Sequence, residues 1–186
     1  MRILLVNNQT QHLSHLKSAL AGHQVEIQTY KPGINFHYQD KDLVILSGGG
    51  GEGQEIDDVN KPGKLWYEDE MNFVLSCPKP IIGICMGFEV IAKAYGQSVE
   101  ELPGLLSGYD NISLSRKGRQ ILLHKKLKQF EAHKWRVTAA PSGFEVLADS
   151  GSGIEVISHK KRPLLATQFH PELGGTLSLP ELVSRV

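Results

Sequence analysis

The first half of the chain alternates short strand-like runs with stretches of helical periodicity, and this alternation limits the fold more than any other feature. Arg2 to Val6, Val25 to Tyr30, Leu43 to Leu46 and Pro80 to Ile84 read as strands, each broken by Asn, Pro, Gly or Cys at its end. Between them Leu13, Leu16 and Leu20 recur at helical spacing, with Gly22 as the expected C-cap. Lys64 to Ser76 carries Leu65, Tyr67, Met71 and Val74 as a second amphipathic helix, and Phe88 to Tyr95 reads as a third. Such alternation calls for an α/β fold with a mostly parallel central sheet and helices on both faces. Sites in these sheets lie at the carboxyl ends of the strands, where the Gly48 to Gly51 run and Cys85 both fall.

The second half changes character. Ile112 to Leu114, Gln120 to Leu123, Trp135 to Thr138, Phe144 to Leu147 and Ile154 to Ser158 are short strand candidates separated by turn residues, as in a small antiparallel layer. Leu164 to Phe169 is a last strong strand, and Leu179 to Val186 reads as a closing helix. No repeat, low-complexity tract or linker divides residues 1–186, so one domain is expected. Lys plus Arg and Asp plus Glu number 20 each, which gives no reason to expect nucleic acid or an anionic membrane as partner. No apolar stretch approaches membrane-spanning length, and the opening residues show no signal-peptide pattern. Two cysteines, Cys77 and Cys85, cannot build a disulfide framework, so a cytoplasmic protein is expected.

Three features carry possible chemistry. Gly83-Ile84-Cys85-Met86-Gly87 joins a buried strand to a helix. A nucleophile on such a turn needs small neighbours, the helix N-terminus favours the thiolate, and the Met86 N–H would face a developing oxyanion. The competing reading is a buried structural cysteine, the role assigned to Cys77. Phe169-His170-Pro171-Glu172 ends the last strand. In extended chain residues two apart share a side, so Glu172 can accept one ring N–H of His170 while the other nitrogen faces a cleft. Alternatively it is a strand end with two solvated polar groups. The run Ser47-Gly48-Gly49-Gly50-Gly51 lacks the Lys-Ser/Thr of a Walker-type phosphate loop, and is either merely flexible or an oxyanion loop. The other histidines, at His12, His15, His23, His37, His124, His133 and His159, read as surface or loop residues without zinc-like spacing. No metal, nucleotide or flavin site is expected.

The joint order of glycine loop, cysteine elbow and His-Pro-Glu resembles the class I (triad) glutamine amidotransferases over essentially the whole chain. The resemblance implies their flavodoxin-like fold and a glutaminase with Cys85, His170 and Glu172 as catalytic triad. Cys85 would attack the glutamine γ-amide to give a γ-glutamyl thioester, with His170 as base and then acid. Gly49 and Met86 would supply oxyanion N–H groups, with Gly48 and Gly50 in the same loop and Glu89 at a substrate-binding position. Ammonia would pass to a separate ATP-dependent synthetase. Within the family, Glu131 to Trp135 and Pro141 to Ala148 are most similar to the glutaminase subunits of two-subunit GMP synthases.

Three positions depart from the family pattern. Gly50-Gly51 stands where proline is usual, Glu89 where glutamine is common, and Trp135 where an aspartate is usual in the GMP-synthase-like segment. A carboxylate at Glu89 cannot donate a hydrogen bond unless protonated. These departures keep two alternatives in view: a hydrolase of γ-glutamyl peptides or modified glutamine, and a catalytically silent regulatory homologue.

Overall fold

The structure, a computed structural model, describes residues 1–49, 55–57, 59–61 and 63–186. A nine-stranded sheet runs in the order β2-β1-β3-β6-β11-β10-β9-β7-β8. Its first five strands are β2 (Gln24–Thr29), β1 (Arg2–Asn8), β3 (Leu43–Gly49), β6 (Ile81–Ile84) and β11 (Leu164–Thr167), all parallel to one another. The strands β10 (Ile154–His159), β9 (Phe144–Asp149), β7 (Glu100–Leu114) and β8 (Leu127–Arg136) continue it with antiparallel pairing. The expected antiparallel part is therefore an extension of the central sheet. A short hairpin, β4 (Val59–Lys61) and β5 (Lys64–Leu65), stands apart.

The central strands are buried on both faces because their side chains alternate between two apolar cores. Leu4, Val6, Val44 and Leu46 join one core, with Phe73 and Val74 of α2 (Glu68–Ser76) and Phe88 and Ile91 of α3 (Met86–Ala94). Ile3, Leu5, Leu43 and Ile45 face the other, with Leu16 of α1 (Leu13–Ala19), Leu122 of α4 (Arg116–Leu122) and Leu182 of α5 (Leu179–Val183). This two-sided burial is what an apolar, non-alternating strand sequence demands.

Four local expectations are corrected. Gln120 to Leu123 lies mostly in α4, whose start is fixed by the Ser115 Oγ accepting from the Gly118 N–H at 2.9 Å. Lys64 and Leu65 form β5, and the helix begins only at Glu68. Leu20, not Gly22, caps α1. Strand β7 covers 15 residues, of which sequence periodicity exposes only the last three.

Candidate active site

The elbow forms because α3 packs almost on the backbone of the sheet. A Cβ on Gly87 would lie 2.5 Å from the Leu46 carbonyl oxygen, and one on Gly83 would lie 2.7 Å from the Gly87 carbonyl oxygen. Both glycines are therefore required by contact. Between them Cys85 adopts φ 50° and ψ −107°, a left-handed conformation that costs a non-glycine residue about 1–3 kcal/mol. Its N–H donates to the Thr167 carbonyl at 2.8 Å, so β6 stays joined to β11 up to the elbow. The thiol faces the Ala132 carbonyl at 3.8 Å.

His170 follows β11, and its N–H donates to the Phe130 carbonyl of β8 at 2.9 Å. Its Nδ1 lies 2.8 Å from Glu172 Oε1, with both side chains buried. Glu172 reaches the ring from a 3₁₀ turn over Pro171–Leu173, so the expected pairing occurs without the extended chain that suggested it. Gly48 fits between the two candidate catalytic side chains: a Cβ there would lie 2.9 Å from His170 Cε1 and 3.5 Å from Cys85 Cβ. Gly49 is wedged likewise, since its Cβ would meet the Asn8 carbonyl oxygen at 2.3 Å and Met86 Sδ at 2.8 Å. Gly50 and Gly51 lie outside the described residues.

These groups border a cleft of about 360 Å³ lined by Cys85, Met86, Glu89, Gly49, His170 and His133, among others. Burial pushes the Cys85 thiol well above its ordinary pKa, and the charges of Glu89 and Glu172 add to the rise. The Met86 N–H acts the other way but does not outweigh them. The start of α3 thus favours the thiolate through the Met86 N–H, as expected, while burial opposes it. Burial also raises the Glu89 carboxyl, although Gln168 Nε2 donates to its Oε1 at 2.9 Å. A protonated Glu89 can donate a hydrogen bond, as the family's usual glutamine does.

Sequence reasoning missed several neighbours. His12, read as a surface residue, lines the cleft and sets its ring edgewise to His170, centroids 5.1 Å apart. Burial lowers its pKa, and His170 adds to the effect. Asn8 donates to Ser47 O at 3.2 Å and to the buried Glu70 Oε1 at 3.0 Å, tying the ends of β1 and β3 to α2. Trp135 packs partly buried against the core while its Nε1 donates to Glu55 Oε2 at 3.0 Å. His133, also expected at the surface, is buried beside Glu131 at 3.2 Å. The alternation Glu131-x-His133 within a strand was the available signal.

Fold and cleft together define an α/β protein with a cysteine on a strand-to-helix elbow beside a paired histidine and carboxylate. The chain belongs to the class I glutamine amidotransferase family, whose model matches residues 4–185; it is a glutamine amidohydrolase by class. The glutamine-hydrolyzing subunit of the GMP synthase of Methanothrix thermoacetophila is 29% identical over 180 residues, covering 95% of this chain and 91% of that protein. Its counterpart in Methanococcus aeolicus is 33% identical over 144 residues, 75% of this chain and 69% of the relative. A crystal structure of a candidate GMP synthase subunit from Thermoplasma acidophilum superposes with a TM-score of 0.76 at 26% identity, covering 92% of this chain and 84% of that one.

Proposed function

We propose that this chain is the glutaminase subunit of a two-subunit GMP synthase, hydrolysing glutamine through Cys85, His170 and Glu172 and supplying ammonia to a separate ATP-dependent synthetase. The observation that carries the catalytic part is the 2.8 Å pairing of His170 Nδ1 with Glu172 beside the strained Cys85 elbow. With Nδ1 committed to Glu172, the second ring nitrogen serves as the base. His170 takes the thiol proton as Cys85 sulfur attacks the γ-amide carbon, and the Met86 and Gly49 N–H groups receive the oxyanion. The same proton passes to the leaving nitrogen, and ammonia departs. Water, deprotonated by His170, then cleaves the thioester to glutamate.

The GMP assignment rests on the GMP synthase relatives, and a cytoplasmic setting agrees with the two free cysteines. A diazoketone analogue of glutamine should alkylate Cys85 alone, located by peptide mass spectrometry, and excess glutamine should protect it. Modification elsewhere, or none in the presence of a GMP-forming synthetase, would overturn the assignment. The departure at Glu89 sustains one second reading, a γ-glutamyl peptide hydrolase. Faster glutamate release from γ-glutamyl dipeptides than from glutamine would select it.

A further inference from the structure

Beneath the cleft, Glu131 and His133 of β8 meet Glu155 of β10. One ligand atom from each lies within 4.8 Å of the other two. Glu131 is 0%, Glu155 1% and His133 3% exposed, so the cluster is effectively dry. Burying two carboxylates and an imidazole demands compensation, which the surrounding protein supplies only in part. Among the described residues, both carboxylate oxygens of Glu131, Oε2 of Glu155 and Nε2 of His133 find no hydrogen-bond partner, although Nε2 and Glu131 Oε2 are 3.2 Å apart.

The partners that do exist leave these atoms available. His133 Nδ1 is 2.6 Å from the Trp135 carbonyl, which accepts its hydrogen and leaves Nε2 turned toward Glu131. Ser150 and Ser152 donate to Glu155 Oε1 at 2.6 and 3.0 Å, holding that carboxyl by one oxygen and freeing the other. Outer hydrogen bonds that fix the tautomer of a histidine and the rotation of a carboxylate are the usual support of metal ligands.

We propose that Glu131, His133 Nε2 and Glu155 Oε2 form a binding site for one divalent first-row metal ion of the zinc class. Bonds of about 2.0–2.2 Å to tetrahedral ligands place neighbouring donor atoms about 3.3–3.6 Å apart, and His133 Nε2 already stands 3.2 Å from Glu131 Oε2. One imidazole with two carboxylates suits zinc, manganese or cobalt better than magnesium or calcium, which take oxygen ligands. The sequence reading found no metal site because Glu155 reaches Glu131 and His133 only through the sheet, where β8 folds across the end of β11. His133 also lines the cleft. A dication would compensate the two buried carboxylates, which the surrounding protein satisfies only in part.

The test uses the full chain carrying Cys85→Ala, so that the catalytic thiol and His170 cannot capture metal together. After chelation and dialysis, zinc is added, and stoichiometry is read by plasma mass spectrometry beside calorimetric titration. One zinc per chain is expected, with a raised Tm, and Glu131→Gln or Glu155→Gln should weaken binding at least about tenfold. Cobalt should give visible bands without a thiolate charge-transfer band. Three results would overturn the site: no stoichiometric binding, equal binding in both variants, or a cobalt–thiolate band placing the ion at Cys77. Should one variant fail to fold, the other variant and the cobalt spectrum still decide.

Discussion

Burial, Glu89 and Glu172 all disfavour the Cys85 thiolate. Replacing Glu89 by Gln removes one of the disfavouring charges, so the thiol pKa should fall and iodoacetamide should label Cys85 faster at pH 8. An unchanged rate would mean that Glu89 is already neutral there. The triad members should differ in weight: Glu172→Gln should lower kcat about 10²–10³-fold by loosening the His170 tautomer and its charge support. Full wild-type turnover in that variant would remove Glu172 from the mechanism.

At the scale of elements, the site depends on α3 lying against β3 and β6. Gly87→Ala drives a methyl group into the Leu46 carbonyl at 2.5 Å. Backbone cannot yield cheaply, so a loss of about 1–3 kcal/mol is expected, measurable by denaturant unfolding, together with lost activity as the elbow shifts. The contact between α2 and β1 has its own signature. Burial raises the Glu70 carboxyl to about 8, against the lowering effect of Asn8. Between pH 4.5 and 8 the unfolded chain loses this proton while the folded protein keeps it, so stability falls as pH rises through that window. Glu70→Gln should therefore raise Tm relative to wild type at pH 8, and the gain should vanish near pH 4.5. A gain independent of pH would contradict the assignment.

These elements also show what the sequence could and could not convey. The strands β1, β3 and β6 were legible because they are buried on both faces and end at Asn, Gly or Cys. The elbow was legible because its glycines flank Cys85 in sequence. Strand β7 was not: it absorbs Pro103, Gly104 and Gly108, residue types that usually break strands, with a register shift between Glu101 and Leu106. Gln120 to Leu123 is too short an apolar run to separate strand from helix, and the Ser115 cap that decides it lies outside the run. His12 and Glu155 matter only through neighbours distant in the chain, which periodicity cannot supply.

At the scale of the molecule, the Cys85 cleft at the carboxyl end of the parallel strands meets an antiparallel extension whose strand β8 borders it. Ala132, His133 and Phe130 of that strand line the cleft, so this half supplies a wall of the site as well as core. A synthetase that docked beside β7 and β8 would act on the cleft through that wall. Adding the GMP-forming synthetase should accordingly raise the rate of glutamine hydrolysis. No change in rate, with binding demonstrated, would argue against coupling of the two proteins.

The central claim is that Cys85 is the nucleophile of a glutaminase, and glutamate release from glutamine by wild type beside Cys85→Ala tests it most directly. Wild type, with the synthetase present, should release glutamate, and the folded Cys85→Ala protein should release none above background. Turnover that survives in Cys85→Ala would contradict the claim.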